Sequence, residues 1–172
     1  MKAALALLLT LIFSQTAFAG KNSIVGNFGF DRGAMTIGAE FENRSKKSTA
    51  MSAFLLYGMD NAEYTAAGAQ TKGKLGTISF GGGIKIFLGS KRWKVFVTPA
   101  FGINMIDVIK STGTAATIET ETVFGPMLRT GAYYRFSKKM AFGLDYTRAF
   151  NWFSDTVGQQ IQYTTLSVRY TL

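Results

Sequence analysis

The stretch Gln162-Tyr163-Thr164-Thr165-Leu166-Ser167-Val168-Arg169-Tyr170-Thr171-Leu172 alternates between two kinds of side chain. Its even-numbered positions from Leu166 onward are apolar, and its odd-numbered positions from Thr165 onward are polar. Successive side chains of a strand point to opposite faces of a sheet, so this pattern predicts a sheet with one apolar and one polar surface. In an exported chain, such a sheet indicates a barrel whose apolar face lies outside, in lipid.

The other end of the sequence carries the signs of export. Lys2 supplies a positive charge, residues 3–13 form an apolar run, and Ala17-Phe18-Ala19 matches a cleavage site. This run is too short for a membrane-spanning helix, and no later run approaches the ~20 apolar residues that a span needs. We therefore expect a signal peptide at residues 1–19 and a single barrel domain at residues 20–172.

Composition narrows the function classes. The chain has a net charge of +9 and contains no Cys and no His. Without His, the usual general base near neutral pH is missing, so we expect no enzyme, and no cofactor or metal is implied. The basic residues are not gathered in one tract, which argues against nucleic acid. An anionic membrane surface or lipopolysaccharide is the expected partner.

Alternation along the rest of the chain predicts an all-β fold of eight antiparallel strands in up-and-down order. The expected strands cover residues 23–30, 34–42, 51–59, 75–88, 93–109, 118–136, 140–152 and 162–172. Short basic connections at 43–48, 89–92 and 137–139 alternate with longer connections at 60–74, 110–117 and 154–160. Outer-membrane barrels sort their turns and loops in this way. The alternative is a soluble eight-stranded barrel with its apolar face inside.

Aromatic residues favour the membrane reading, because amphipathic rings collect at lipid headgroups. One expected girdle lies near the short turns and the other near the loops. The first comprises Phe41, Phe87, Trp93, Tyr134, Phe136 and Tyr170, and the second Phe30, Tyr57, Phe124, Phe150 and Trp152.

On these residues the chain resembles the small eight-stranded outer-membrane proteins of Gram-negative bacteria, the group of the OmpA transmembrane domain and OmpX. The resemblance implies localisation in the outer membrane. The segment from Tyr163 to Leu172 is similar to the signal that the barrel-assembly machinery reads in this family. The family usually ends in Phe or Trp, whereas this chain has Leu172 at that position.

Inward-facing charges form a candidate site in the barrel lumen. If the sixth and seventh strands turn near Ser137, and the last loop is centred near Val157, then Arg129 and Arg169 both lie opposite Asp145. Lys85 and Glu40 are expected further members of this charge network. Two interpretations remain open: a structural plug in a narrow barrel, or a gate or anion site.

Pro99 and Pro126 both fall inside strands, on the outward face. Each removes a backbone donor, so the strand pair that holds them is a candidate lateral seam, with inward Phe96 and Met127 as an apolar floor. The alternatives are a paired bulge, or missing donors that would have faced loop residues beyond the membrane. The sequence thus favours a non-enzymatic barrel that acts through its extracellular loops on an unknown partner. A narrow channel or transporter for small or apolar solutes, with lateral entry near the prolines, is the alternative.

Overall fold

A single closed sheet makes up the described part of the protein. The computed structural model describes residues 21–31, 34–44, 46, 48–66, 69–112, 115–150, 152 and 160–172. Eight strands follow one another in antiparallel pairs, and β1 pairs with β8 to close the barrel. The strands are β1 Lys21–Asp31, β2 Ala34–Arg44, β3 Thr49–Ala66, β4 Ala69–Gly89, β5 Trp93–Thr112, β6 Ala115–Arg135, β7 Met140–Phe150 and β8 Gln160–Thr171.

The predicted alternation is confirmed, with apolar residues outside and polar residues inside. On β1, the outward Phe28 and Phe30 are 51% and 83% exposed, whereas the inward Asn27 is 0% exposed. Leu166 on β8 is likewise 65% exposed. A band of exposed apolar side chains around a closed sheet is what a bilayer requires, because all backbone groups are then paired within the barrel. Among the described residues, no helix is long and apolar enough to cross a membrane.

Two of the expected loops are strands. β3 and β4 stay paired out to Ala66 and Ala69, so the loop predicted at 60–74 is wrong. β5 and β6 stay paired out to Thr112 and Ala115, so the loop predicted at 110–117 is wrong as well. The apolar alternation fades here because these hairpins extend past the lipid band, although their backbone ladder continues. The remaining loop, expected at 154–160, lies outside the described residues except for Gln160.

The opposite end is closed by tight turns, and we call it the turn end. It holds the β2–β3, β4–β5 and β6–β7 connections and both ends of the closing pair, where Leu172 N donates to Asn22 O at 2.9 Å. The β4–β5 turn begins at Gly89, whose φ of +106° favours glycine. In the β6–β7 turn, the Ser137 hydroxyl accepts hydrogen bonds from the backbone N–H groups of Lys139 and Met140. The end with the long hairpins is the loop end.

Aromatic side chains form the two expected girdles, with one correction. Trp93 packs on Tyr134 at the turn end, and Phe101, Phe124 and Trp152 form ring contacts toward the loop end. Phe87 does not belong to a girdle, because it has inward parity on β4 and is only 3% exposed. Its ring lies in the lumen. The expected signal peptide at residues 1–19 lies outside the described residues, and it stays a prediction.

Candidate functional site

Six charged side chains meet in the middle of the lumen, and we call them the lumen charge network. The five expected members, Glu40, Lys85, Arg129, Asp145 and Arg169, all point inward and are at most 4% exposed. The sixth is Glu42 on β2, which is 1% exposed. Three carboxylates and three cations thus balance one another inside the barrel.

Lys85 occupies the centre of the network. Its Nζ lies 2.6 Å from Glu40 Oε1 and 2.5 Å from Glu42 Oε1. The Ser52 hydroxyl also donates to Glu40 Oε1 at 2.5 Å. Arg129 Nη1 lies 3.0 Å from Glu40 Oε2, an ion pair that is not aligned as a hydrogen bond. The network is therefore a set of shared partners rather than three separate pairs.

The two ends of the network are held by different strands. Arg129 Nη2 donates to Asp145 Oδ2 at 3.4 Å, and Ser167 donates to Asp145 Oδ1 at 3.0 Å. Arg169 Nη1 donates to Glu42 Oε2. Charges at such low exposure are stable only when each has a partner.

The expected register around Asp145 is wrong. Arg169 lies opposite Ala141, and Asp145 lies opposite Gly131 and Thr165. The β6–β7 turn is centred on Lys138 rather than Ser137, because the Ser137 hydroxyl bonds the two backbone N–H groups that follow. Arg169 instead reaches across β1, where Val25 is the register partner of both Arg169 and Glu40. This brings it to Glu42.

Sequence reasoning missed Glu42, although a signal for it exists. The sequence predicts that Glu40 lies on the inward face of β2, and strand parity puts the residue two positions later on the same face. The predicted strand also ends at residue 42, and a charged residue next to a turn is usually expected to be exposed to solvent. In the structure β2 runs on to Arg44, and Glu42 is inside.

Apolar side chains close the lumen on both sides of the network. Toward the turn end, the buried cluster is Ala50, Phe87, Phe96, Tyr133 and Ala141. Toward the loop end, it is Phe54, Leu56, Met127, Ala149 and Tyr163. A third buried cluster lies further toward the loop end and contains Ile106, Val108 and Val123. Phe96 and Met127 therefore belong to different layers, and the expectation that they form one apolar floor is wrong.

Aromatic rings face the cations of the network directly. Lys85 Nζ lies 4.1 Å from the centroid of the Phe96 ring, and Arg129 lies 4.5 Å from that of Phe54. Arg169 lies 4.4 Å from the Tyr133 ring. Each contact is in the range of a cation–π interaction. The apolar layers thus both fill the lumen and stabilise the charges between them.

Inward glycines make room for this packing. A Cβ on Gly81 would lie 2.7 Å from the Phe54 ring, and a Cβ on Gly131 would lie 2.7 Å from the Phe96 ring. Both distances are too short for a real contact. An eight-stranded barrel is just wide enough for side chains to fill, so large rings need small residues opposite them.

The two prolines do not create a seam between β5 and β6. The β5–β6 register is continuous, with Pro99 opposite Leu128 and Pro126 opposite Phe101. The Pro99 carbonyl points toward Gly83 on β4, and the β4–β5 ladder lacks the pairs between Gly83–Ala100 and Ile86–Val97. A residue of an antiparallel strand directs its N and O to the same neighbour, so the missing donor of Pro99 faces β4.

The missing backbone donor of Pro126 faces β7, on the opposite side of β6 from β5. Trp152 N donates to Phe124 O at 3.1 Å, so by the alternation of antiparallel pairs the next such pair joins Pro126 to Phe150 on β7. The paired ladder of β6 and β7 accordingly begins at Met127–Ala149. The prolines therefore weaken two different strand pairs, on opposite sides of a continuous β5–β6 pair. The predicted lateral seam and the paired bulge are both wrong.

A cavity of about 280 Å³ lies on the loop-end side of the buried cluster that contains Phe54 and Met127. Its lining includes Thr36, Gly58, Leu75, Ile106 and Tyr163. The Tyr163 hydroxyl lies 3.0 Å from Ser79 Oγ. Because Tyr163 also belongs to this buried cluster, the cavity extends to the apolar layer that fills the lumen. Among the described residues, no cluster of His, Cys, Asp and Glu has the geometry to hold a metal ion.

No protein-family model matches the sequence, and no curated protein matches it. Solved structures do match. Ail of Yersinia pestis is 12% identical, with a TM-score of 0.62 over 89% of this chain and 99% of Ail. The Neisserial surface protein A is 12% identical, with a TM-score of 0.60 over 88% of this chain and 95% of that protein. The N-terminal barrel of OprF from Pseudomonas aeruginosa is 13% identical, with a TM-score of 0.52 over 88% and 97%.

The fold is therefore that of the small eight-stranded outer-membrane β-barrels. The closed sheet, the lipid-facing band and these neighbours place the protein in the outer membrane. In this class the short turns face the periplasm and the long hairpins face outward. The turn end is thus periplasmic, and the loop end is extracellular.

Proposed function

We propose that this protein is a closed, non-enzymatic barrel that presents its extracellular hairpins to a partner on another surface. The carrying observation is the filled lumen, in which a balanced charge network lies between apolar layers. Such an interior serves as a scaffold core rather than as a passage. What remains for binding is the part outside the membrane.

In the described residues, the β3–β4 and β5–β6 hairpins form most of that part. From Tyr57 on β3, which is exposed, the strand continues to Ala66, which is roughly 30 Å of chain at ~3.3 Å per residue. The β5–β6 hairpin stands beside it, because Gly76 N donates to Asp107 Oδ2 at 2.9 Å. Thr120 donates to the other oxygen of Asp107 at 2.7 Å. Asp107 thus fixes the two hairpins to one another.

Ion pairs cross each hairpin between its two strands. Lys110 Nζ lies 3.1 Å from Glu119 and 3.0 Å from Glu121, and hydrogen bonds with Glu121 and Glu119 raise the pKa of Lys110. Lys72 lies 3.2 Å from Glu63, its register partner. Binding residues are commonly carried by exposed segments on a rigid scaffold. A paired platform of this kind supports adhesion or surface interaction.

The absence of His from the sequence supports the non-enzymatic part of the proposal. Outer-membrane lipid surrounds the barrel, and lipopolysaccharide is its proposed neighbour on the extracellular side. The segment from Tyr163 to Leu172 keeps the alternating face expected of an assembly signal, which we propose is read by the barrel-assembly machinery.

Two measurements on one pair of variants test the proposal. In the trimmed variant, a two-residue turn replaces residues 62–73, and in the control variant Lys138 and Lys139 at the periplasmic end become Ala. We expect host cells that express the wild type and the control to adhere to cultured cell monolayers, and the trimmed variant to lose adherence while keeping heat-modifiable migration. We expect all three proteins to be non-conducting in planar bilayers. Steady conductance by the wild type, with adherence unchanged by trimming, would instead favour the narrow channel.

A further inference from the structure

The charges of this protein are distributed unevenly between the two ends of the barrel. The three segments that close the periplasmic end, residues 44–49, 89–93 and 135–140, contain eight Lys or Arg residues and no Asp or Glu. Lys21 and Lys94 lie at the same end. The extracellular hairpins, by contrast, mix Asp60, Glu63, Asp107, Glu119 and Glu121 with Lys72, Lys74 and Lys110.

No carboxylate in the described residues neutralises the periplasmic charges. The nearest acidic residue along β2 is Glu42, and Lys85 and Arg169 already bind it inside the lumen. Arg44 and Lys94 lie 4.2 and 5.9 Å from the Phe87 ring, so cations also line the periplasmic mouth. Because these positive charges are not neutralised, they produce an electrostatic field that attracts anions.

The exposed members of this set form a ring at the membrane surface, and we call it the basic rim. It comprises Lys21, Lys46, Lys91, Arg92, Lys138 and Lys139, all of which are exposed. The aromatic girdle marks the level of the headgroups, because Trp93 follows Arg92 directly and Phe136 stacks on Phe142 beside Lys138. Lys139 Nζ lies 5.7 Å from the Tyr170 ring. The rim is therefore held at the height of lipid phosphates.

We propose that the basic rim binds anionic phospholipids of the inner leaflet, through the phosphate groups of lipids such as phosphatidylglycerol. Lysine and arginine beside a bilayer attract anionic headgroups, and their apolar stems lie along the lipid-facing wall. Lipopolysaccharide lies in the other leaflet, beside hairpins whose charges are balanced. The basic composition of the chain thus points to the periplasmic leaflet.

Lipid selectivity in reconstituted protein tests this inference. The wild type is placed in phosphatidylcholine vesicles with a trace of spin-labelled phosphatidylglycerol or phosphatidylcholine, and the motionally restricted fraction of each label is compared. We expect a preference for phosphatidylglycerol of roughly threefold or more, reduced by salt. The rim variant Lys138→Glu/Lys139→Glu should lose most of it. The control variant Lys72→Glu/Lys74→Glu, with the same change in net charge at the extracellular end, should keep it.

Heat-modifiable migration shows whether each variant has folded, and Lys138→Gln/Lys139→Gln replaces the rim variant if the reversed charges block assembly. Equal restriction of both lipids by the wild type would overturn the inference. So would an equal loss in rim and control variants, which would mean that net charge alone sets the preference. Loss in the control variant only would move the lipid contact to the extracellular hairpins.

Discussion

Removing Lys85 tests whether the lumen charge network stabilises the barrel as one unit. Lys85→Met keeps most of the volume of the side chain and removes its charge. Glu40 and Glu42, at 2.6 and 2.5 Å from Nζ, then share two cations with Asp145, so the buried site holds one excess carboxylate. Breaking a buried pair by removing one partner costs about 3–5 kcal/mol. We expect a destabilisation of that size, and a similar one for Glu40→Gln, which leaves an excess cation.

The double variant gives the decisive comparison. With Lys85→Met and Glu40→Gln together, the remaining charges form two complete pairs, Arg129 with Asp145 and Arg169 with Glu42. The two losses should therefore not add, and we expect the double variant to be only about 1–2 kcal/mol less stable than the wild type. With single losses of at least about 3 kcal/mol each and a double loss of at most about 2 kcal/mol, the expected coupling energy is at least about 4 kcal/mol.

Unfolding in urea, with the barrel in phospholipid vesicles, measures these differences. Trp93 and Trp152 report the transition by fluorescence, and heat-modifiable migration reports it independently. Lys72→Met is the matched control, because the Lys72–Glu63 pair is exposed to solvent and should contribute little. If Lys85→Met behaves like Lys72→Met, water solvates the lumen and the reasoning fails. Additive effects in the double variant would refute the shared network and would indicate that the charges form independent ion pairs.

Three further substitutions test the lumen packing and the strand pairing. Phe54→Ala should cost about 3–5 kcal/mol and open the plug to small ions, which single-channel recording would detect; an unchanged, silent barrel would mean that Phe54 does not close the lumen. Pro99→Val should increase amide protection along the β4–β5 pair and not along β5–β6, as read by hydrogen-exchange mass spectrometry; the reverse pattern would restore the seam. Tyr163→Phe should lower stability by about 1 kcal/mol through loss of the contact with Ser79, and an unshifted urea midpoint would count against it.

Strand parity made most of this fold predictable. A strand has only two faces, so the apolar residues of β1, β5 and β8 could be assigned to lipid from their spacing alone. The same rule placed Glu40, Lys85, Arg129, Asp145 and Arg169 inside, where the structure has them. Parity says nothing about how far a strand extends beyond the lipid, so the sequence predicts loops where β3–β4 and β5–β6 form paired hairpins.

Register was less accessible, because it depends on the centre of each turn. Moving the β6–β7 turn from Ser137 to Lys138 shifts every β6–β7 pairing by two residues, which places Arg129 opposite Thr147 instead of Asp145. The β7–β8 register differs as well, because Asp145 lies opposite Thr165, and this separates Arg169 from Asp145. Closure adds contacts that no neighbouring-strand argument contains, since Arg169 reaches Glu42 across β1. The strand that each proline's missing donor faces could not be predicted for the same reason. It depends on which ladder pairs are hydrogen-bonded, and that follows from register and not from parity.

The charges of this chain fall into two separate groups, one inside the barrel and one at its periplasmic end. Inside the barrel, three carboxylates and three cations cancel, so the lumen contributes nothing to the net charge of +9. The extracellular hairpins are also balanced or acidic. The excess positive charge is therefore concentrated at the periplasmic end, on a ring of side chains at headgroup height. A barrel can rotate freely about the membrane normal, but the charges at its two ends resist inversion, because turning it over would carry the basic rim or the charged hairpins through the hydrocarbon core.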